Sequence, residues 1–299
     1  MKTIKKISLL LTSILLMHTT TLATTIKLNE AIQNKKVSCV IKGNTSSTHY
    51  YEPILIEISN LSNSTINLAI ESGDMFIPTD SNYQNIVVTE EAPIVLLPKA
   101  TKKIKIKGMC TERGDGAGSE TTTYTFLASN NDTLKKLSKF IAQNKYQTSA
   151  AQFAVWTLMD NDDINGVISA DTTEENKLKQ LLATLTGKTY TVKQKNSYKT
   201  NYYAPPREKV SGMFEYNFIE PKDIQIAMFD SNGILVRELY NQKSVAAGSH
   251  KINFAYDASV YKDDLYYFKL IANNEILVNR EWDAKKIRDA FKNKIENRN

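Results

Sequence analysis

The sequence predicts a mainly β chain, an antiparallel β-sandwich carrying three helices and then a C-terminal Ig-like β-sandwich. Three observations predict it. Short apolar runs separated by polar turns fill 36–107 and return over 213–282, the pattern of antiparallel strands with one face on a core. Between them, 131–187 changes to an apolar spacing of three and four, the period of helices. A polar stretch at 193–209, containing Tyr202-Tyr203-Ala204-Pro205-Pro206, has the composition of a linker. A chain of 299 residues suits two domains, each able to bury a core.

In order along the chain, residues 1–23 open with Lys2, Lys5 and Lys6, run apolar over 7–17 and place small residues at Thr21 and Ala23. This is the plan of a secretory signal peptide cleaved after Ala23. The apolar run falls short of the ~20 residues a membrane span needs. The expectation is an exported chain (periplasm, cell surface or secreted) with no transmembrane span. Without the leader lysines the formal charge of +6 falls to about +3, too small and too scattered a bias for nucleic acid.

The first domain is expected over 24–192. Its strands are 37–41, 54–58, 66–70, 86–88, 94–97 and 102–107, where Ile104 and Ile106 alternate with lysines that mark an exposed or edge face. Asn131 or Asp132 caps a helix whose stripe is Leu134, Leu137, Phe140 and Ile141. Ser149 starts a second helix, apolar nearly all round and therefore buried. Thr172 and Glu175 form the capping box of a third, which stops near Gly187. After the linker, strands are expected at 213–218, 224–229, 234–240, 251–256, 265–272 and 276–282, with Asn232-Gly233 as a hairpin turn. That second sandwich spans 210–282. The remaining segment, 283–299, places Ile287, Phe291 and Ile295 on one face of a basic helix, able to pack on its own domain or to meet envelope components.

Chemistry-bearing residues are few. His49 and His250 lie far apart without acidic or cysteine neighbours in ligand spacing, so neither a metal site nor a Ser/His/Asp triad is expected, and no cofactor is implied. The Gly-rich stretch 111–120 lacks the Gly-Lys-Ser/Thr ending of a phosphate loop, and its Arg113-Gly114-Asp115 is a weak match to an integrin-binding tripeptide. Asn161, Asp163, Asn165 and Gly166 resemble the start of a calcium loop, but Thr172 stands where a bidentate Glu is required. Cys39 and Cys110 in an exported chain suggest one disulfide, worth roughly 4 kcal/mol by loop closure. Gln152 reads most simply as the third residue of a capping box, Ser149-Ala-Ala-Gln152, reaching back to the Ser149 N–H.

A different reading joins two of these residues. A strand ending at Cys110, a loop, and a helix carrying Gln152-Phe-Ala-Val-Trp156 resemble the thioester domains of bacterial surface adhesins, in which a Cys on a strand end meets a Gln at a helix start. That resemblance covers roughly 31–192; the residue before Gln152 is Ala151, where the family has Thr or Ser. It implies a Cys110–Gln152 internal thioester, open to capture by an amine or hydroxyl on a target. The second domain resembles the Ig-like modules of flagellar hook-cap proteins and of secretion-system sorting domains. It does so through Ile224-Gln-Ile-Ala-Met-Phe-Asp230, Asn232-Gly-Ile-Leu-Val236, Ala247-Gly-Ser-His250 and Leu265-Tyr-Tyr-Phe-Lys-Leu270. The functional expectation is a non-catalytic envelope or surface protein that binds a surface protein or glycan. The alternatives are covalent adhesion through Cys110 and Gln152, or a secreted hydrolase using Asp160, Asp162 and Asp163.

Overall fold

The computed structural model describes residues 25–169, 171–192, 209–257, 263–287 and 289. The expected signal peptide, all but the last residue of the linker and most of the basic tail lie outside the described residues. The chain is mainly β, 43% strand and 22% helix, with a central helical segment and a separate C-terminal antiparallel sheet region.

Strand Thr25–Lys27 (β1) leads into a short helix, Leu28–Gln33 (α1). Next come Val37–Gly43 (β2), Ile54–Asn60 (β3), Ile66–Ile70 (β4), Met75–Pro78 (β5), Ile86–Val88 (β6), Ala92–Leu96 (β7), Thr101–Ile106 (β8), Gly108–Cys110 (β9) and Tyr124–Leu127 (β10). They form three sheets, ordered β1-β4-β7, β2-β3-β8 and β10-β5-β6-β9. Alternation works here as the sequence predicts: Ile54, Ile56 and Ile58 of β3 are fully buried while Leu55 and Glu57 between them are not. The lysine-bearing strand β8 is an edge strand, and its Lys103 pairs with Glu57 of β3 at 3.1 Å. One pairing departs from the expected all-antiparallel plan, since β1 runs parallel to β4.

The helical segment is Asp132–Asn144 (α2), Ser149–Met159 (α3) and Thr172–Thr186 (α4), with a single 3-10 turn at Ile164–Gly166. Asn131 caps α2 by accepting the Leu134 N–H, and Gly187, at φ +75°, ends α4 in the left-handed conformation that glycine tolerates. The other two caps fall one residue earlier than the sequence suggests. Thr148 caps α3 and Asp171 caps α4. Among the described residues, no helix is long and apolar enough to cross a membrane.

The C-terminal region contains Lys209–Phe218 (β11), Lys222–Asp230 (β12), Leu235–Val245 (β13), Gly248–Asp257 (β14), Leu265–Ala272 (β15) and Glu275–Asp283 (β16). Sheet β11-β14 and sheet β13-β12-β15-β16 enclose a core of Phe214, Ile224, Ile226, Met228, Ile252, Phe268 and their neighbours. Strand β12 is buried on both sides. Ile224, Ile226 and Met228 face that core, whereas Ala227 and Phe229, on the opposite face, belong to the core of the first domain together with Leu235 and Ile271. The two β regions therefore share a continuous apolar contact, with the loop between β2 and β3 at its centre.

Candidate functional site

Strand β9 pairs with β6 on one side only, with Cys110 opposite Ile86, and forms the edge of its sheet. The outward backbone groups of Cys110 consequently have no strand partner. Gln152, in the first turns of α3, takes that place. Its Oε1 accepts the Cys110 N–H at 3.0 Å and its Nε2 donates to the Cys110 carbonyl at 2.8 Å. Both residues are fully buried. Ala150, Ala151 and Ala154 of the same helix are buried as well.

The approach of α3 to β9 is fixed by side chains just ahead of the helix. Gln147 donates through Nε2 to the carbonyls of Tyr50, Tyr51 and Gly108 at 3.0, 3.2 and 3.2 Å, and its Oε1 accepts from Thr89 at 2.7 Å. One carboxamide thus ties the helix entry to β9 itself. Thr148 accepts the Ala151 N–H and donates to Glu174, while Ser149 donates to Glu238 of the C-terminal sheet at 2.8 Å. Burial raises the pKa of both carboxyls above the usual range, against the hydrogen bonds they accept.

The loop between β2 and β3 closes the other side. The Cys110 thiol donates to the His49 carbonyl at 3.4 Å. The His49 ring stacks on Trp156 with centroids 5.6 Å apart, meets Phe229 edge-on at 6.2 Å, and accepts the Leu235 N–H on Nε2 at 2.9 Å. His49 is neutral: burial, and then the Lys269 charge, push its pKa down to about 3, with Gln152 opposing. Since Nε2 accepts, the proton resides on Nδ1, which is buried without a partner. Tyr50 stacks on Phe229 and donates to Gln225 at 2.7 Å. Burial, with a smaller effect of Glu112, raises the Cys110 pKa well above that of an ordinary thiol. The sulfur is therefore held as S–H against the His49 carbonyl, in a residue whose backbone the Gln152 carboxamide pairs with.

Several expectations need correction. Gln152 does not reach back to the Ser149 N–H; Thr148 supplies the cap and Gln152 is committed to Cys110. The expected Cys39–Cys110 disulfide is not formed, and both cysteines are free thiols. Cys39 sits opposite Ile58 in the β2-β3-β8 sheet, its pKa pushed up to about 11 by burial, while Cys110 belongs to the sheet containing β6. Asp160, Asp162 and Asp163 each have a structural contact: Asp160 ends α3, Asp162 pairs with Arg113 at 3.0 Å, and Asp163 caps the 3-10 turn through the Asn165 N–H. Arg113 also lies over the Trp156 ring, 5.4 Å from its centroid. Among the described residues no cluster of three metal-binding side chains exists.

His49, Gln147, Tyr50 and Glu238 are residues that sequence reasoning missed. His49 and Leu235 are 186 positions apart, and no local pattern links them. Gln147 had a faint signal, a polar residue immediately ahead of a helix cap. Comparison with protein-family models and with curated proteins finds no match for this chain.

Proposed function

We propose that this protein is an exported adhesion protein that attaches covalently to its target through a Cys110–Gln152 thioester. The observation that carries the reading is the Gln152 carboxamide, held in a dry site across the backbone of a cysteine whose thiol is in no disulfide. Two rival explanations of these residues do not fit the contacts, while a buried free thiol at Cys110 remains the plain alternative. The capping box is made by other atoms, and the second cysteine lies in another sheet.

Formation would join Cys110 Sγ to the Gln152 carboxamide carbon and break its bond to Nε2. The thiol proton leaves with the nitrogen as ammonia. The Cys110 N–H, already 3.0 Å from Oε1, would donate to the oxyanion as charge develops there. An amine or hydroxyl of the target then attacks the same carbon, its proton returns to the sulfur, and Gln152 remains linked to the target. The raised pKa of Cys110 supports holding the thioester intact until capture, because a thiolate disfavoured by a dry site is a poor leaving group.

Intact mass and a thiol count in denaturant test the proposal. The expected protein is lighter by one ammonia and has one titratable thiol, Cys39. Methylamine adds its mass once and restores the Cys110 thiol, and Cys110→Ala abolishes both effects. Full mass with two titratable thiols refutes the thioester, as does loss of two hydrogens with no titratable thiol.

A further inference from the structure

Beside the site lies a cavity of about 450 Å³ between the β2–β3 loop, the Gly-rich stretch and the C-terminal sheet. Its lining contains one side chain of permanent charge, Lys269, and no carboxylate. Lys269 stands on β15 opposite Asn279 of β16, with its ammonium 4.3 Å from the Phe229 ring centroid. Among the described residues it has neither an ion pair nor a hydrogen bond. The nearest compensating charge, Asp230, is occupied in accepting the N–H groups of Asn232 and Ile234.

A cation without an anion in a partly dry wall points to an absent acceptor; burial accordingly lowers the Lys269 pKa. The rest of the wall is rich in hydroxyl and amide side chains, including Ser231, Asn232 and Asn279. It contains no aromatic ring besides His49.

We propose that this cavity binds a carboxylated sugar, with the carboxylate on Lys269 and the hydroxyls on the Ser231 hydroxyl and the amides of Asn232 and Asn279. His49 belongs to both places, since its carbonyl accepts the Cys110 thiol proton. The cavity and the Cys110–Gln152 pair thus have His49 as a common neighbour. Only the fate of the ligand, capture by Gln152, rests on the covalent reading; reversible binding does not.

Calorimetric titration of the purified protein with galacturonate, galactose and inorganic phosphate tests the proposal. Galacturonate is expected to bind at least tenfold more tightly than galactose or phosphate, and Lys269→Met to erase that margin. Should that variant fail to fold, Asn279→Asp, at an exposed position, supplies an internal carboxylate to Lys269 and is expected to weaken galacturonate binding at least tenfold. Cys110→Ala should bind galacturonate as the unaltered protein does, which separates this site from the thioester. Equal affinity for the two sugars, phosphate binding as tightly as galacturonate, no binding at all, or an Asn279→Asp variant that binds unchanged would each overturn it.

Discussion

Replacing Gln152 with leucine, on a Cys110→Ala background where no thioester can form, isolates the two hydrogen bonds at the edge of β9. Leucine keeps a side chain of comparable bulk but offers neither donor nor acceptor. The N–H and carbonyl of residue 110, fully buried beside the helix, are then left without partners. An unsatisfied buried polar group costs about 1–3 kcal/mol, so the pair costs roughly 2–6 kcal/mol. That is a large part of the 5–15 kcal/mol typical of a folded domain. Urea denaturation of Cys110→Ala and of Cys110→Ala/Gln152→Leu, compared at unchanged m-value, reads the difference directly. A loss below about 1 kcal/mol would refute the reasoning, because it would mean water or a relaxed backbone satisfies both groups and the Gln152 contact does not hold α3 on β9.

Other predictions follow from the same geometry. Because His49 falls from a usual value of 6.5 to about 3 in the folded chain, the unfolded chain binds the extra proton as pH drops below 6.5. His49 should thus subtract up to ~1.4 kcal/mol of stability per pH unit between pH 6.5 and about 3. Melts of His49→Gln against the unaltered protein should show that slope difference, whereas parallel profiles would contradict it. Gly118→Ala would place a Cβ 2.0 Å from the Tyr124 hydroxyl oxygen, an overlap expected to destabilise by about 1–3 kcal/mol; an unchanged urea midpoint would exclude that packing. Asp162→Asn removes a half-exposed ion pair with Arg113, so its expected cost is at most ~1 kcal/mol. The same variant should leave target attachment unchanged, which a hydrolytic role for the 160–163 turn would not permit.

Local pattern was sufficient for the elements whose two faces differ. Strands β3, β4 and β8 and the stripe of α2 carry their periodicity in contiguous residues, and a one-residue slip would expose the wrong face. Strands β1, β5, β9 and β10 were invisible because they are three or four residues long, and β9 is buried at every position. Full burial removes alternation, which is the signal a strand gives in sequence. The caps of α3 and α4 slipped by one residue because Thr148 and Ser149, and likewise Asp171 and Thr172, are both good capping residues. Only the path of the incoming chain chooses between them.

The candidate site divides along the same line. Sequence alone singled out Cys110 and Gln152 and set out the competing roles of each, because a lone Gln at a helix start and a cysteine at a strand end are chemically legible. It could not say which partner each side chain takes. That decision was tertiary: an edge strand left two backbone groups of Cys110 unpaired, and α3 delivered a carboxamide of matching polarity to them. His49, dismissed for want of neighbours in sequence, became the hinge of the site because β12 and β13 carry Phe229 and Leu235 back to it from the other end of the chain. Hydrogen bonding and burial are properties of distance in space, so a contact across 186 residues is fixed only when both sheets have packed.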